Sequence, residues 1–409
     1  MGCQTSKDAA VPTSPTAQRP SLSQIFLQAA SKQQARDEIG VGAHRLPAGD
    51  SYRDVFTIFG ERGMALEAVA NSPSASDCVP ASPNGSVFST ATTASDTERT
   101  LILPRAPEQS FPQLRVSYGN YSDTGMRNLN EDRQAIASQK VNNDLVAFFG
   151  LYDGHGGSEV AEYLAENLHE NVFCQLQKLP MESKMATSVQ TASFANALRT
   201  AYAATDEAIF NHQLPSGSTA VTVVIRGTTA LVSSVGDSQV VLSTNGHARD
   251  MCIAHTPELS SERDRILAAK GQISKGRIYG MLGVSRAFGD NDFKTGRGAF
   301  KKRFNGDLVV ATPDVVVHEI TSFDEFVVLG CDGLYDVMRP QDVVNFVRMK
   351  LGMHNNVQHA TEELVSHAIA LGSTDNVSAI IVCFNQHDVV PVTPIEAAQA
   401  AEARKRATD

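Results

Sequence analysis

The sequence predicts an α+β fold built in layers, and three observations predict it. Short runs rich in Val and Ile recur between about residues 113 and 386. Three of them, 220–226, 230–235 and 239–243, are linked by short turns at Gly227-Thr228 and Gly236-Asp237. Connections that short join only antiparallel neighbours. Segments with helical periodicity stand in blocks between the strands, the pattern of an α+β layered class.

Each element follows from its own residues. Strand-type runs lie at 133–137, 144–152, 308–311, 326–330 and 378–384, besides the three above. Residues 158–173 place Val160, Leu164, Leu168 and Val172 four apart, behind Ser158 as an N-cap. Residues 193–211 repeat the pattern with Phe194, Leu198, Tyr202 and Ile209. Pro257 opens a helix that runs to Lys270 and closes at Gly271. Two more helices are expected at 340–351 and 357–371. No internal repeat is evident.

Composition narrows the class. The chain has 409 residues, 42% of them hydrophobic and 20% charged, enough for a sizeable core. A net charge of −10 without a basic stripe argues against a nucleic-acid binder. The six cysteines form no C-x-x-C pair, which argues against a zinc ribbon or disulfide framework. No apolar run reaches the roughly 18–20 residues needed to span a bilayer.

Three regions are expected: a flexible extension at 1–112, a globular domain at 113–386 and a tail at 387–409. Residues 71–97 hold eleven Ser or Thr with three prolines, too little apolar surface to offset chain entropy. Within the extension, 22–38 and 52–69 are apolar enough to dock on the domain or on a partner. The start, Met1-Gly2-Cys3-Gln4-Thr5-Ser6, matches the N-myristoylation pattern, and Cys3 can take a palmitoyl group beside it. Two acyl chains anchor stably where one does not. The expectation is a monomer at the cytoplasmic face of a membrane, and in the cytoplasm.

Acidic corners flank five strands. Glu131-Asp132 precede 133–137, Asp153-Gly154 follow 144–152, and Gly236-Asp237 follow 230–235. Cys331-Asp332-Gly333 follow 326–330, and Asp375-Asn376 precede 378–384. Any single Asp-Gly is a turn. Acids from five corners gathered at one sheet edge would repel unless cations neutralised them. An all-oxygen ligand set suits Mg²⁺ or Mn²⁺ rather than Zn²⁺.

The segments "RNLNED", "YDGHGG", "SGSTA", "VGDSQ", "GVSRAFGD", "LGCDGLYDV" and "STDNVSAIIV" occur in this order. Over roughly 115–385 the chain thereby resembles the PP2C family of metal-dependent Ser/Thr protein phosphatases. The resemblance implies a sandwich of two antiparallel β-sheets flanked by helices, with two Mn²⁺ or Mg²⁺ ions at one end. It implies that Asp153 bridges the ions, that Gly154 offers its carbonyl and that Asp332 and Asp375 bind the second ion. Glu131 and Asp132 would act through ion-bound waters, and Asp237 and Asp336 would hold a weaker third ion. Arg127 would grip the phosphate of a phosphoprotein substrate. His155 would protonate the leaving alkoxide, and water would attack phosphorus with no phosphoenzyme, leaving Cys331 out of the chemistry.

Some residues carry plainer readings. His255 is expected to position a loop, and Arg286 with Asp290 to form a buried ion pair supporting the site. Gln239 stands where many relatives have arginine. The basic insert 293–307, with Lys294, Arg297, Lys301, Lys302 and Arg303, is either a solvated loop or a surface attracting acidic phosphopeptides. A non-catalytic adaptor on the same fold is the competing function. It would be expected to have lost metal acids, and Asp153, Asp332 and Asp375 are all present. A phosphatase of small phosphoesters is a third reading.

Overall fold

The structure, a computed structural model, describes residues 86–88, 100–103, 114–142, 144–179, 187–298 and 304–385. The acylation signal, the segments 22–38 and 52–69, the three basic residues 301–303 and the tail after 386 lie outside the described residues.

The first strands are β1 (Ser86–Phe88), β2 (Thr100–Leu103), β3 (Leu114–Asp123), β4 (Arg133–Val141), β5 (Asp144–Tyr152) and β6 (Gly154–His155). Helices α1 (Glu159–Gln177) and α2 (Thr187–Asn211) come next. Then follow β7 (Gly217–Ser218), β8 (Ala220–Arg226), β9 (Thr229–Val235), β10 (Gln239–Thr244), β11 (His247–Asp250) and helix α3 (Ser260–Ala268). Three two-residue strands, β12 (Ile273–Ser274), β13 (Arg277–Ile278) and β14 (Phe288–Gly289), lead to β15 (Asp314–Glu319) and β16 (Asp324–Gly330). Helices α4 (Asp332–Tyr335), α5 (Pro340–His354) and α6 (Val357–Ala370) precede the last strand, β17 (Val377–Asn385).

Two six-stranded sheets result, ordered β1-β4-β5-β8-β9-β15 and β11-β10-β16-β17-β3-β2. Every pairing in them is antiparallel. Side-chain alternation explains why they stack. Along β5, Ala147, Phe149 and Leu151 enter a core shared with Val327, Leu329, Ile380 and Val382 of the second sheet. Val146, Phe148 and Tyr152 point the other way, onto Leu164, Leu168 and Val172 of α1. The outer face of the second sheet packs Val328 and Ile381 against Val343, Val347, Leu364 and Val365 of α5 and α6. The layers are therefore α-β-β-α.

The structure departs from the sequence reading at several elements. Residues 308–311 are not a strand. Leu308 and Val309 are buried, but their amides go to the Phe293 carbonyl rather than to a ladder. The true strand begins after Pro313, where Asp314–Glu319 pairs with β9. Two edge strands, β1 and β2, lie upstream of residue 113. Ser158 occupies the N-cap of α1 without capping it; its hydroxyl donates to Glu162 at 2.9 Å. Arg286 does not pair with Asp290. It binds Glu262 at 2.8 Å and Asp314 at 2.8 Å.

That last network ties α3 to the sheet. Burial alone would raise the carboxyl pKa of Glu262, but hydrogen bonds from Arg286 and Arg265 outweigh it and hold it at about 2. Ordinary Glu titrates near 4.3, so this stabilisation is complete above that value and is lost as pH falls toward about 2. Glu262→Gln is expected to cost about 3 kcal/mol at pH 7, because it leaves Arg286 buried with half its partners. The variant's stability should also fall less steeply with acid over that window. Urea midpoints measured across the range check both; parallel acid profiles would refute the role.

Candidate active site

Strand register brings together acids that are far apart in sequence. Arg133, first in β4, lies opposite Tyr152, last in β5. Leu151 of β5 lies opposite Val221, and Ala220 at the start of β8 faces Val235 at the end of β9. In the second sheet Gly330 ends β16 opposite Gln239 and Ala379. Val377 starts β17 opposite Asp123. The residues just beyond these ends are Glu131, Asp132, Asp153, Asp237, Asp332 and Asp375.

Their charges act on one another across both sheets. Burial pushes the Asp153 carboxyl well up, and Asp132, Asp332, Asp237 and Asp375 push it further. Asp332 rises to about 7, through burial and then Asp237, Asp375 and Asp336. Asp132 rises to about 6, chiefly through burial. Asp237 and Asp336 are also raised, each first by burial, with Asp336 acting on Asp237 and Asp375 on Asp336. One oxygen of Asp132 is buried with no hydrogen-bond partner.

A polar frame holds these acids in place. Asn376 accepts the Glu131 amide at 2.9 Å, and its side-chain nitrogen donates to the Thr124 and Leu129 carbonyls at 2.9 Å each. It therefore ties the Asp375 corner to the loop carrying Arg127. The Asp153 carbonyl takes the Thr219 amide at 2.9 Å. His255 is fully buried, accepts the Gly236 amide on Nδ1 at 3.2 Å and meets Asp314 through Nε2 at 3.1 Å, which fixes the corner before Asp237. Gly154 has no room for a side chain: a Cβ there would lie 2.5 Å from the Glu131 carbonyl oxygen.

The two residues expected to handle substrate lie at the rim. Arg127 is exposed and donates to Asp375 at 2.6 Å. His155 meets Asp290 through Nε2 at 2.8 Å. Burial opposes protonation of His155, but the charge and hydrogen bond of Asp290, with Asp237 and Glu131 behind, leave its pKa raised. The sequence offered no sign of this Asp290 contact, because it forms between strands of two residues each. All ten residues singled out in the sequence thus belong to one neighbourhood.

Other features are accounted for without a site. Burial raises the Cys331 thiol far above its ordinary range, with Asp132, Asp153 and Asp332 adding to it. Its sulfur donates to the Asn376 carbonyl and receives the Ser378 amide, so it is held as a neutral thiol. In the basic insert Lys294 is buried against Asp206 at 2.6 Å, and Arg297 binds Asp206 and Glu207. Those two cations serve the interior and do not present a phosphopeptide surface. His354, His359 and Glu363 also gather ligand-type atoms within 4.8 Å of one another. His354, however, already accepts the Asn356 amide on Nδ1 and turns Nε2 to Glu363, which Lys350 also binds. A concavity of about 680 Å³ nearby is lined by Tyr121, Phe346, His359 and His367 and contains none of the ten.

A dense set of carboxylates gathered at strand ends of an antiparallel sandwich defines a cation-dependent hydrolytic class of site. The family profile described as Protein phosphatase 2C matches residues 116–377. "Probable protein phosphatase 2C 54" of Oryza sativa subsp. japonica is 32% identical over 336 residues, covering 80% of this chain and 87% of that one. "Protein phosphatase 2C homolog 3" of Schizosaccharomyces pombe is 37% identical over 286 residues, 67% of this chain and 66% of that one. A solved structure of serine-threonine phosphatase 2C from Toxoplasma gondii shares the fold with a TM-score of 0.55, 24% identity, and coverage of 70% and 99%. The chain belongs to the PP2C family of metal-dependent Ser/Thr protein phosphatases.

The carboxylates fit hard divalent cations: they are all-oxygen donors, mutually repelling, with one oxygen of Asp132 left unbonded. Removing one charge should therefore relieve the cation-free protein. Asp332→Asn is expected to unfold about 2–4 °C above wild type in EDTA, the shift that about 1 kcal/mol gives a domain this size. It should also gain less from added Mn²⁺. Equal melting temperatures in EDTA would contradict the repulsion described above.

Proposed function

We propose that this chain hydrolyses phosphoserine and phosphothreonine in proteins at a centre of two divalent cations, Mn²⁺ or Mg²⁺. The observation that carries the reading is the set of clustered acids whose charges oppose one another's ionisation. Asp153, acted on by four other acids, is assigned the bridging position, with the Gly154 carbonyl beside it. Asp332 and Asp375 are assigned to the second ion, Glu131 and Asp132 to water-linked positions, and Asp237 and Asp336 to a weaker third site. When bound, the cations supply Lewis acidity that makes water nucleophilic near neutral pH and offsets phosphoryl charge.

The chain's own side chains supply binding and a proton. The exposed Arg127 guanidinium exchanges Asp375 for the oxygens of an arriving phosphate, for which its planar fork is suited. His155, whose pKa Asp290 raises against the opposing effect of burial, gives its proton to the departing serine or threonine oxygen. Cys331 stays a buried thiol and forms no bond to phosphorus. The working unit in this reading is a monomer.

A phosphothreonine peptide should release phosphate with Mn²⁺ and not in EDTA. Arg127→Ala should lower kcat/KM about 10–100-fold, mostly through KM, as loss of a charge-assisted phosphate contact would. Turnover that persists in EDTA would reject the mechanism.

We further propose anchoring at the cytoplasmic face of a membrane by a myristoyl group on Gly2 and a palmitoyl group on Cys3, with a cytoplasmic pool. The pattern Met1-Gly2-Cys3 with Ser6 supports it. Among the described residues no helix is long and apolar enough to cross a membrane. Gly2→Ala should shift the full chain from the membrane to the soluble fraction; unchanged fractionation would dismiss the anchor.

A further inference from the structure

We infer that Asp290 is the positioning residue for His155, and that a three-stranded ribbon in this chain holds the pair together. The inference rests on the phosphatase reading above and deepens it.

The ribbon runs β14-β7-β6, each strand two residues long. Gly154 and His155 pair with Ser218 and Gly217, and these pair in turn with Phe288 and Gly289. Three segments distant in sequence are thereby placed side by side. His155 leaves one edge strand, Asp290 follows the other, and Gly217 lies between them. A Cβ on Gly217 would come 2.3 Å from His155 Nε2 and 2.5 Å from an Asp290 carboxylate oxygen. The pair exists because the middle strand has no side chain at that point.

Asp290 is fixed independently of His155. Its backbone is left-handed, with φ 47° and ψ 40°, a conformation that aspartate and asparagine tolerate better than most residues. Its amide donates to the Ser216 carbonyl at 3.2 Å, and its carbonyl takes the Phe293 amide at 2.9 Å. The preceding Gly289 amide donates to Asp206 at 3.0 Å. Asp206 is held in turn by Lys294 at 2.6 Å and Arg297 at 2.7 Å. The side chain of Asp290 is 1% exposed, against 27% for His155. The carboxylate is thus a rigid interior anchor and the imidazole is the partner that reaches the site.

With Nε2 on Asp290, Nδ1 is the ring nitrogen left for the substrate. In the step, the Nδ1 proton passes to the ester oxygen as that oxygen's bond to phosphorus breaks. The hydroxyl product keeps the proton, and His155, now neutral, keeps Nε2–H and donates it to the Asp290 carboxylate, which stays negative. Fixing a donor through its second nitrogen sets both tautomer and ring orientation.

The test compares two phosphomonoesters on the full chain with Mn²⁺. A phosphothreonine peptide needs its alkoxide protonated; p-nitrophenyl phosphate, with its better leaving group, does not. Asp290→Asn keeps the left-handed backbone and removes the anion. It should lower kcat on the peptide about 100-fold and change p-nitrophenyl phosphate turnover far less, with KM little altered. His155→Ala should show the same selectivity, and the double variant should add nothing to either. Gly217→Ala, which crowds the pair without touching its charges, should reproduce the pattern.

Equal losses on both esters, or additive losses in the double variant, would overturn the role of Asp290 while leaving the phosphatase reading intact. Wild type inactive on both esters would overturn the phosphatase reading and this role with it.

Discussion

The structure is organised around mutual repulsion among clustered carboxylates. Asp132 is buried, Asp153, Asp237 and Asp332 are half-buried, and each feels at least one other acid. Left alone, that arrangement favours neutral acids or an open site. The sandwich resists by anchoring each acid at the end of a strand whose remainder is deep in a core. Tyr152, Val235 and Val377 adjoin the acidic corners and are fully buried. Moving a corner outward would drag such residues into water at roughly 1.5–3 kcal/mol each.

The same constraint explains the polar frame. A corner that must hold a charge against its neighbours needs its backbone fixed from outside. Asn376 does this for Glu131 and for the loop of Arg127, and His255 does it for Gly236. His255 is braced by Asp314, which Arg286 also binds. Arg286 therefore supports Asp237 from a distance, through residues that touch no substrate. Asp206, Lys294 and Arg297 do the equivalent for the Asp290 corner. The basic insert contributes to the interior in this way, which is why its first two cations do not form a surface patch.

Much of the fold was legible in the sequence because its strands carry strong local patterns. The run 144–152 became β5 with those bounds, and 220–226 became β8. Both are central strands, dense in apolar residues and bounded by turn residues. The run 308–311 looked similar but makes only a single isolated bridge, Val310 with Arg286, and no ladder. Burial of Leu308 and Val309 accounts for its hydrophobicity, while their amides bond to a loop carbonyl. Hydrophobicity reports burial, and a strand also needs a partner. β15 was overlooked for the converse reason: its residues 315–318 are only half-buried at a sheet edge, so the periodic signal is weak.

The sequence by itself determined the identity of the acids and their places at strand ends, because both are local properties of the chain. Tertiary structure alone decided which polar residues meet. Arg286 and Asp290 sit four apart and looked like partners, yet Arg286 turns to Glu262 and Asp314, while Asp290 turns to His155. The left-handed backbone at Asp290 and the bare Gly217 beside it set that choice. Neither pairing leaves a local pattern, because a contact across a ribbon of two-residue strands depends on where three distant segments are brought, not on what adjoins each of them.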